Sequence, residues 1–166
     1  MTIHKTKQTM KTIAIIIIAL SISLSAYCQS TEKVAIYRWN INNDWVEARE
    51  QEGETLAGYG YKNKTFVCNL FKEPQEGTVA INRWNLASTG DWVSVPESAS
   101  ADMERFGYTS KILLGYAYPS PKANTVAINR WYLDRDKDWV TVPEKASNDM
   151  QRFGYINKTL VAYTPK

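Results

Sequence analysis

One chemically loaded pair occurs three times along the chain: Asp44-Trp45, Asp91-Trp92 and Asp138-Trp139, 47 residues apart each time. Upstream of each stands an arginine that is itself followed by a tryptophan, in Arg38-Trp39, Arg83-Trp84 and Arg130-Trp131. A tryptophan face stacks on a sugar ring, a carboxylate accepts from hydroxyls, and a guanidinium donates in a fixed fork. The candidate ligand-binding residues are therefore Trp45, Trp92, Trp139, Asp44, Asp91, Asp138, Arg38, Arg83 and Arg130. Three copies would give up to three equivalent shallow sites, an arrangement that raises avidity toward a repetitive polymer.

Each residue type also has a plain structural use. A tryptophan at a fixed place in a repeat serves as a core wedge, the expected role of Trp39, Trp84 and Trp131. An aspartate after a turn bonds local backbone. An arginine among apolar neighbours pairs with a carboxylate. Phase separates the two sets of tryptophans: Trp92 lies on the strand face opposite Val93 and Val95, so it points outward if the valines point inward.

Catalysis has less to work with. Glu50, Glu97 and Glu144 recur, and paired carboxylates hydrolyse glycosides. That work needs two carboxylates in different environments, which equivalent copies do not supply, and a role at a helix start is simpler. His4 is the only histidine, so beyond it no Ser-His-Asp, Cys-His or His-ligated zinc site can be built. Cys68 stands where the other copies have Gly115 and Ala162 and reads as a small buried residue. The run Asp134-Arg135-Asp136-Lys137-Asp138 has alternating acids but lacks the glycine and distal glutamate of a calcium loop, and reads as a solvated turn. No catalytic residue, metal or cofactor is assigned, and the chain is read as a non-enzyme.

The repeats fill the chain after residue 28. Gly60-Tyr61, Gly107-Tyr108 and Gly154-Tyr155 follow each Asp-Trp pair at a constant distance. The units run 33–77, 78–124 and 125–166 within one domain, 29–166. The single length change is two residues missing between Arg-Trp and Asp-Trp of the first copy, which places the gap in a turn. Each unit reads strand, turn, strand, helix, strand. The helix stripe is Ala99, Met103, Phe106 and again Ala146, Met150, Phe153; Pro96 suits the first helical position and Gly107 the C-cap. In the third strand Ile112, Leu114, Tyr116 and Tyr118 share a face. A unit of this size cannot fold alone. The expected fold is mainly β with one short helix per repeat, closed into a pseudo-threefold domain that is trefoil-like or resembles a three-bladed propeller.

Residues 1–28 read as a secretory signal. Lys5, Lys7 and Lys11 precede an apolar run from Ile13 to Leu24 and a small-residue stretch ending at Cys28. The apolar run is too short to span a bilayer. Cleavage after Cys28 gives a secreted or periplasmic chain; the rival reading is a lipoprotein acylated at Cys28, against which stands the bulky Tyr27. The whole chain has 20 basic and 17 acidic residues, net +3. The three lysines of the signal account for that excess, and the remainder is neutral, which argues against nucleic acid as a partner.

The repeat resembles a secreted domain family of unknown function found in bacteria and fungi. The resemblance rests on Arg83-Trp84-Asn85, Gly90-Asp91-Trp92-Val93-Ser94, Glu97, Gly107-Tyr108 and Gly115-Tyr116-Ala117-Tyr118. Trp45, Trp92 and Trp139 stand where that family usually has histidine. The family often accompanies cell-wall or glycan hydrolases, which implies glycan or surface binding and passes on no catalytic residue. The expectation is a secreted carbohydrate-binding module of a cell wall or cell surface, lectin-like in use. The alternative is a protein-binding module, an adhesin or inhibitor.

Overall fold

The computed structural model describes residues 31–166; the expected signal segment and Cys28 lie outside the described residues. The chain makes three hairpins, each followed by a short helix and a third strand. The first unit holds β1 (Lys33–Ile41), β2 (Asp44–Arg49), α1 (Gly53–Gly58) and β3 (Lys62–Phe71). The second holds β4 (Val79–Leu86), β5 (Asp91–Pro96), α2 (Ser100–Arg105) and β6 (Thr109–Ala117). The third holds β7 (Thr125–Leu133), β8 (Asp138–Pro143), α3 (Ser147–Arg152) and β9 (Ile156–Pro165).

The architecture is mainly β. Two antiparallel sheets form, one ordered β2-β1-β3-β6-β4-β5 and one ordered β8-β7-β9. Neither closes into a barrel. The first two units are joined through β3 and β6 at Phe71 and Tyr116. The third is tied to the second by the isolated pair Tyr118 and Tyr163, whose backbone groups exchange bonds of 3.0 and 2.8 Å. Strands β2, β5 and β8 each pack against the other two, and this meeting point positions the site described below.

Local chemistry accounts for the units. The two residues missing from the first copy do fall in a turn: Asn42 and Asn43, both at positive φ, close the first hairpin, as a tight two-residue connection requires. The helices end alike. In the second unit the Gly107 N–H bonds the Glu104 carbonyl and the Tyr108 N–H the Met103 carbonyl, both at 3.0 Å. This is the Schellman arrangement, with Gly107 at the positive φ it needs. It aims the following tyrosine back toward β5, and the first and third units repeat it. Gly53 and Gly58 weaken the first helix on paper, yet α1 forms. At Gly53 a Cβ would lie 2.8 Å from the Trp39 ring, so glycine is what lets that ring pack there.

Three sequence expectations change. Met103 and Met150 are buried, but Phe106 and Phe153 are each 61 % exposed. Each helix is only six residues long and ends one position before its phenylalanine, so the apolar stripe stops at the methionine. Pro96, in turn, is the last residue of β5, in extended backbone, with the helical turn starting after it. The shared face of Ile112, Leu114, Tyr116 and Tyr118 is also broken. A bulge at Leu114 shifts the register between Ile81–Gly115 and Asn82–Leu113, so Leu114 and Ala117 are buried and Ile112 is not.

The central core draws on all three units: Ile36, Leu70, Ile81, Leu114, Ile128 and Val161, with Cys68 among them. Burial pushes the Cys68 thiol far above its ordinary range, as suits a packing residue. Trp39, Trp84 and Trp131 are buried, each in the satellite cluster of its own unit. Gly115 sits in the core at φ 151°, with no room for a side chain. A Cβ there would stand 2.7 Å from Leu70 Cβ and 2.8 Å from the Phe71 carbonyl oxygen. Gly115→Ala should therefore cost roughly 2–4 kcal/mol in chemical denaturation, whereas Ala162→Gly at the equivalent point of the third unit should cost less than half as much.

Candidate binding sites between the repeats

Asp44, Asp91 and Asp138 are the first residues of β2, β5 and β8, directly after the hairpin turns. Because those strands meet, the three carboxylates converge instead of serving three separate sites. One oxygen from each lies within 4.8 Å of the other two. They line an open cavity of about 430 Å³, together with Asn42, Asn43, Thr89 and Asp136. Asp44 is half-buried, while Asp91 and Asp138 are only 6 % and 3 % exposed.

Few donors answer these carboxylates. Tyr61 Oη donates to Asp44 Oδ2 at 3.3 Å, and Tyr108 Oη donates to Asp91 Oδ2 at 2.5 Å. These are the tyrosines that the helix caps aim back. The Trp45 N–H donates to Asp138 Oδ1 at 3.2 Å. Asp91 Oδ1 and Asp138 Oδ2 are buried with no hydrogen-bond partner. Burial is the main force on all three. It pushes Asp44 up to about 6, opposed by the Tyr61 bond and aided by the charge of Asp91. It pushes Asp138 up to about 8, opposed by the Trp45 N–H and aided by Asp44, Asp91 and Glu47. Asp91 is raised as well, against the Tyr108 bond and the backbone N–H groups of Trp139 and Trp92.

Three residues further along the same strands stand Glu47, Ser94 and Thr141. Glu47 is fully buried, and its carboxylate spans the gap between its neighbours. Ser94 Oγ donates to Oε2 at 2.7 Å and the Thr141 N–H to Oε1 at 2.8 Å. Sequence reasoning gave Glu47 no role, although its signal was there: a long acid where the other copies carry short hydroxyls.

The arginines stack on the tryptophans of their own units. Arg38 lies 4.7 Å from the Trp45 ring centre, Arg83 4.9 Å from Trp92 and Arg130 4.9 Å from Trp139, within cation–π range. The tryptophans themselves are half-buried between units. Trp45 packs on the third unit's cluster, Trp92 on the first's and Trp139 on the second's. None of the three arginines is salt-bridged to Asp44, Asp91 or Asp138. Arg83 instead donates to the Glu47 carbonyl and to Glu52 Oε2, both at 2.7 Å. Glu52 has no counterpart, since Ala99 and Ala146 hold its place. Arg38 and Arg130 have no ion-pair partner among the described residues, and burial pulls both below the usual guanidinium range.

Beside these two arginines the seams stay open. A cleft of about 270 Å³ runs along Arg38, Trp45, Met150, Phe153 and Tyr155, and one of about 300 Å³ along Arg130, Trp139, Met103, Phe106 and Tyr108. The exposed phenylalanines form their outer walls. The recurring Glu50, Glu97 and Glu144 lie elsewhere, each bonded at 2.7 Å to a lysine of its own unit, Lys64, Lys111 and Lys158.

No family model, curated protein or solved structure matches this chain.

The carboxylate cluster makes folding depend on pH with a definite sign. With raised folded-state pKa values, the folded chain holds protons that the unfolded chain has released. The cluster's contribution is full below the ordinary aspartate value of about 3.9. It is lost as pH rises through about 6 for Asp44 and about 8 for Asp138. In buffer with a chelator, the melting temperature should fall between about pH 5 and about pH 8, and Asp138→Asn should flatten that fall. A melting temperature that rises over this window would contradict the assignment.

Proposed function

We propose that the chain is an exported, non-catalytic binding module whose three repeats close into a pseudo-threefold, propeller-like ring, and that it binds carbohydrate in the two open seams. Support for closure comes from the exchange of tryptophans: the first unit's packs on the third, the third's on the second and the second's on the first. Such a cycle has no free end, unlike an open array of repeats.

The observation that carries the sugar reading is the pairing, in each open seam, of an exposed phenylalanine with a guanidinium that is not held in a salt bridge. A sugar ring needs an apolar wall for its C–H face and directed donors for its hydroxyls. Phe106 or Phe153 offers the first, and Arg130 or Arg38 with the neighbouring tyrosine offers the second. The clefts are small for a drug-like ligand, which fits one saccharide unit of a longer chain. Two such sites on one module act through avidity. The non-catalytic reading is supported by the recurring glutamates, which stand apart and are each held by a lysine. Export rests on the N-terminal sequence.

A protein partner is the second reading, favoured by the exposure of Tyr59, Phe106 and Phe153 at equivalent places in the three units. Binding of the protein to a panel of polysaccharides and isolated cell walls separates the two. In the carbohydrate reading, Phe106→Ala with Phe153→Ala lowers binding at least about tenfold. Both side chains are exposed, so melting should hardly change. Trp45→Ala or Trp139→Ala should lower the melting temperature, because those rings join units. Saturable binding to a protein, with none to any glycan, would favour the second reading.

A further inference from the structure

We propose that Asp44, Asp91 and Asp138 together hold one divalent cation, Ca²⁺ by size, at the meeting point of β2, β5 and β8. The site is separate from the seam clefts, though Asn43 and Asp136 border both, and it does not depend on the carbohydrate reading.

Geometry comes first. The carboxylate oxygens lie no more than 4.8 Å from one another, so a point between them is at most about 2.8 Å from each, close to the Ca²⁺–O range of about 2.3–2.6 Å. Mg²⁺ demands a near-ideal octahedron at about 2.0–2.1 Å, which three carboxylates on separate strands are less suited to build. All three donors are hard oxygens, which select such cations over softer metals.

The second observation is independent of the clustering. Asp91 Oδ1 and Asp138 Oδ2 are buried and unpartnered, on side chains more than nine-tenths buried that line the cavity. A buried carboxylate oxygen without a donor carries a penalty that a bound cation removes. Among the described residues, no lysine or arginine is salt-bridged to these carboxylates. Lys137 lines the cavity, but its Nζ bonds Asp134 Oδ1 at 2.7 Å. Arg38 and Arg130 stack on tryptophans, and Arg83 pairs with Glu52. Ca²⁺ takes six to eight oxygens. The open cavity leaves room for water, and the Asn42, Asn43, Thr89 and Asp136 side chains border it.

One ligand from each repeat means that the ion would fasten the three units together, so binding should be read directly in stability. For the protein freed of metal with a chelator, 1 mM Ca²⁺ should raise the melting temperature by roughly 5 °C or more, and 1 mM Mg²⁺ by less. Tb³⁺, a luminescent stand-in for Ca²⁺, should show emission sensitised by the nearby tryptophans, and Ca²⁺ should displace it. Asp91→Asn with Asp138→Asn keeps the side-chain shape and removes two like charges. In the absence of metal this variant should melt at or above the parent temperature at about pH 8, and it should lose both the Ca²⁺ shift and the Tb³⁺ signal. If the double variant does not fold, Asp44→Asn, at the more exposed corner, should still weaken Ca²⁺ binding at least tenfold. No Ca²⁺ shift in the unmodified protein, or an undiminished shift in the variants, would overturn the proposal.

Discussion

The second strands of the three hairpins must bury their inner faces against one another. Glu47, Ser94 and Thr141, on the faces turned toward one another, are almost wholly buried, while Val46, Val93 and Val140 on the opposite faces pack in the clusters of their own units. Where β2, β5 and β8 meet, Asp44, Asp91 and Asp138 come together, as do Glu47, Ser94 and Thr141. Repetition along the chain becomes convergence in space. For the aspartates this sets three like charges side by side, and three residues further along it leaves a polar gap to be filled.

Departures from the repeat are therefore informative. Glu47 stands among Ser94 and Thr141 and takes hydrogen bonds from both. Three glutamates there would repel, whereas three short hydroxyls would leave space, so one long acid with two short partners satisfies the position. Glu52 pairs with Arg83, and the alanines at its two counterparts leave Arg38 and Arg130 without such a partner. Gly115 lets the first and second units approach where Cys68 and Ala162 occupy the equivalent points. The first copy diverges most, and much of its divergence falls at these contacts between units.

Most of the local structure was legible because it rests on short-range rules. The hairpins, the turn that absorbs the two-residue gap, the glycine caps and the buried Cys68 all follow from neighbouring residue types. The bulge at Leu114 was not legible, since alternation read along a strand assumes an even ladder. Phe106 was misplaced because a stripe of apolar residues does not say where its helix stops. The aspartates were chosen as binding residues, but their meeting in one place depends on which strand of each hairpin turns inward, and that is a long-range property. The half-burial of Trp45, Trp92 and Trp139 between units was hidden for the same reason: phase distinguishes two faces of a strand and says nothing of a neighbour that covers the second.

The unequal division of strands has a mechanical consequence. The first and second units share one continuous sheet, while the third unit's own sheet is linked to it by the single backbone pair of Tyr118 and Tyr163. Cohesion of the third unit thus rests mainly on side chains: Ile128, Val161 and Ala162 in the shared core, Trp45 and Trp139 at its two flanks, and Glu47 bonded by the Thr141 N–H. A load pulling on the end of the chain would meet little backbone resistance before that unit swung out as a whole, hinged near Tyr118. Under tension the molecule would open like a clasp rather than unravel strand by strand, and the shared core with the Trp45 and Trp139 rings would be the catch.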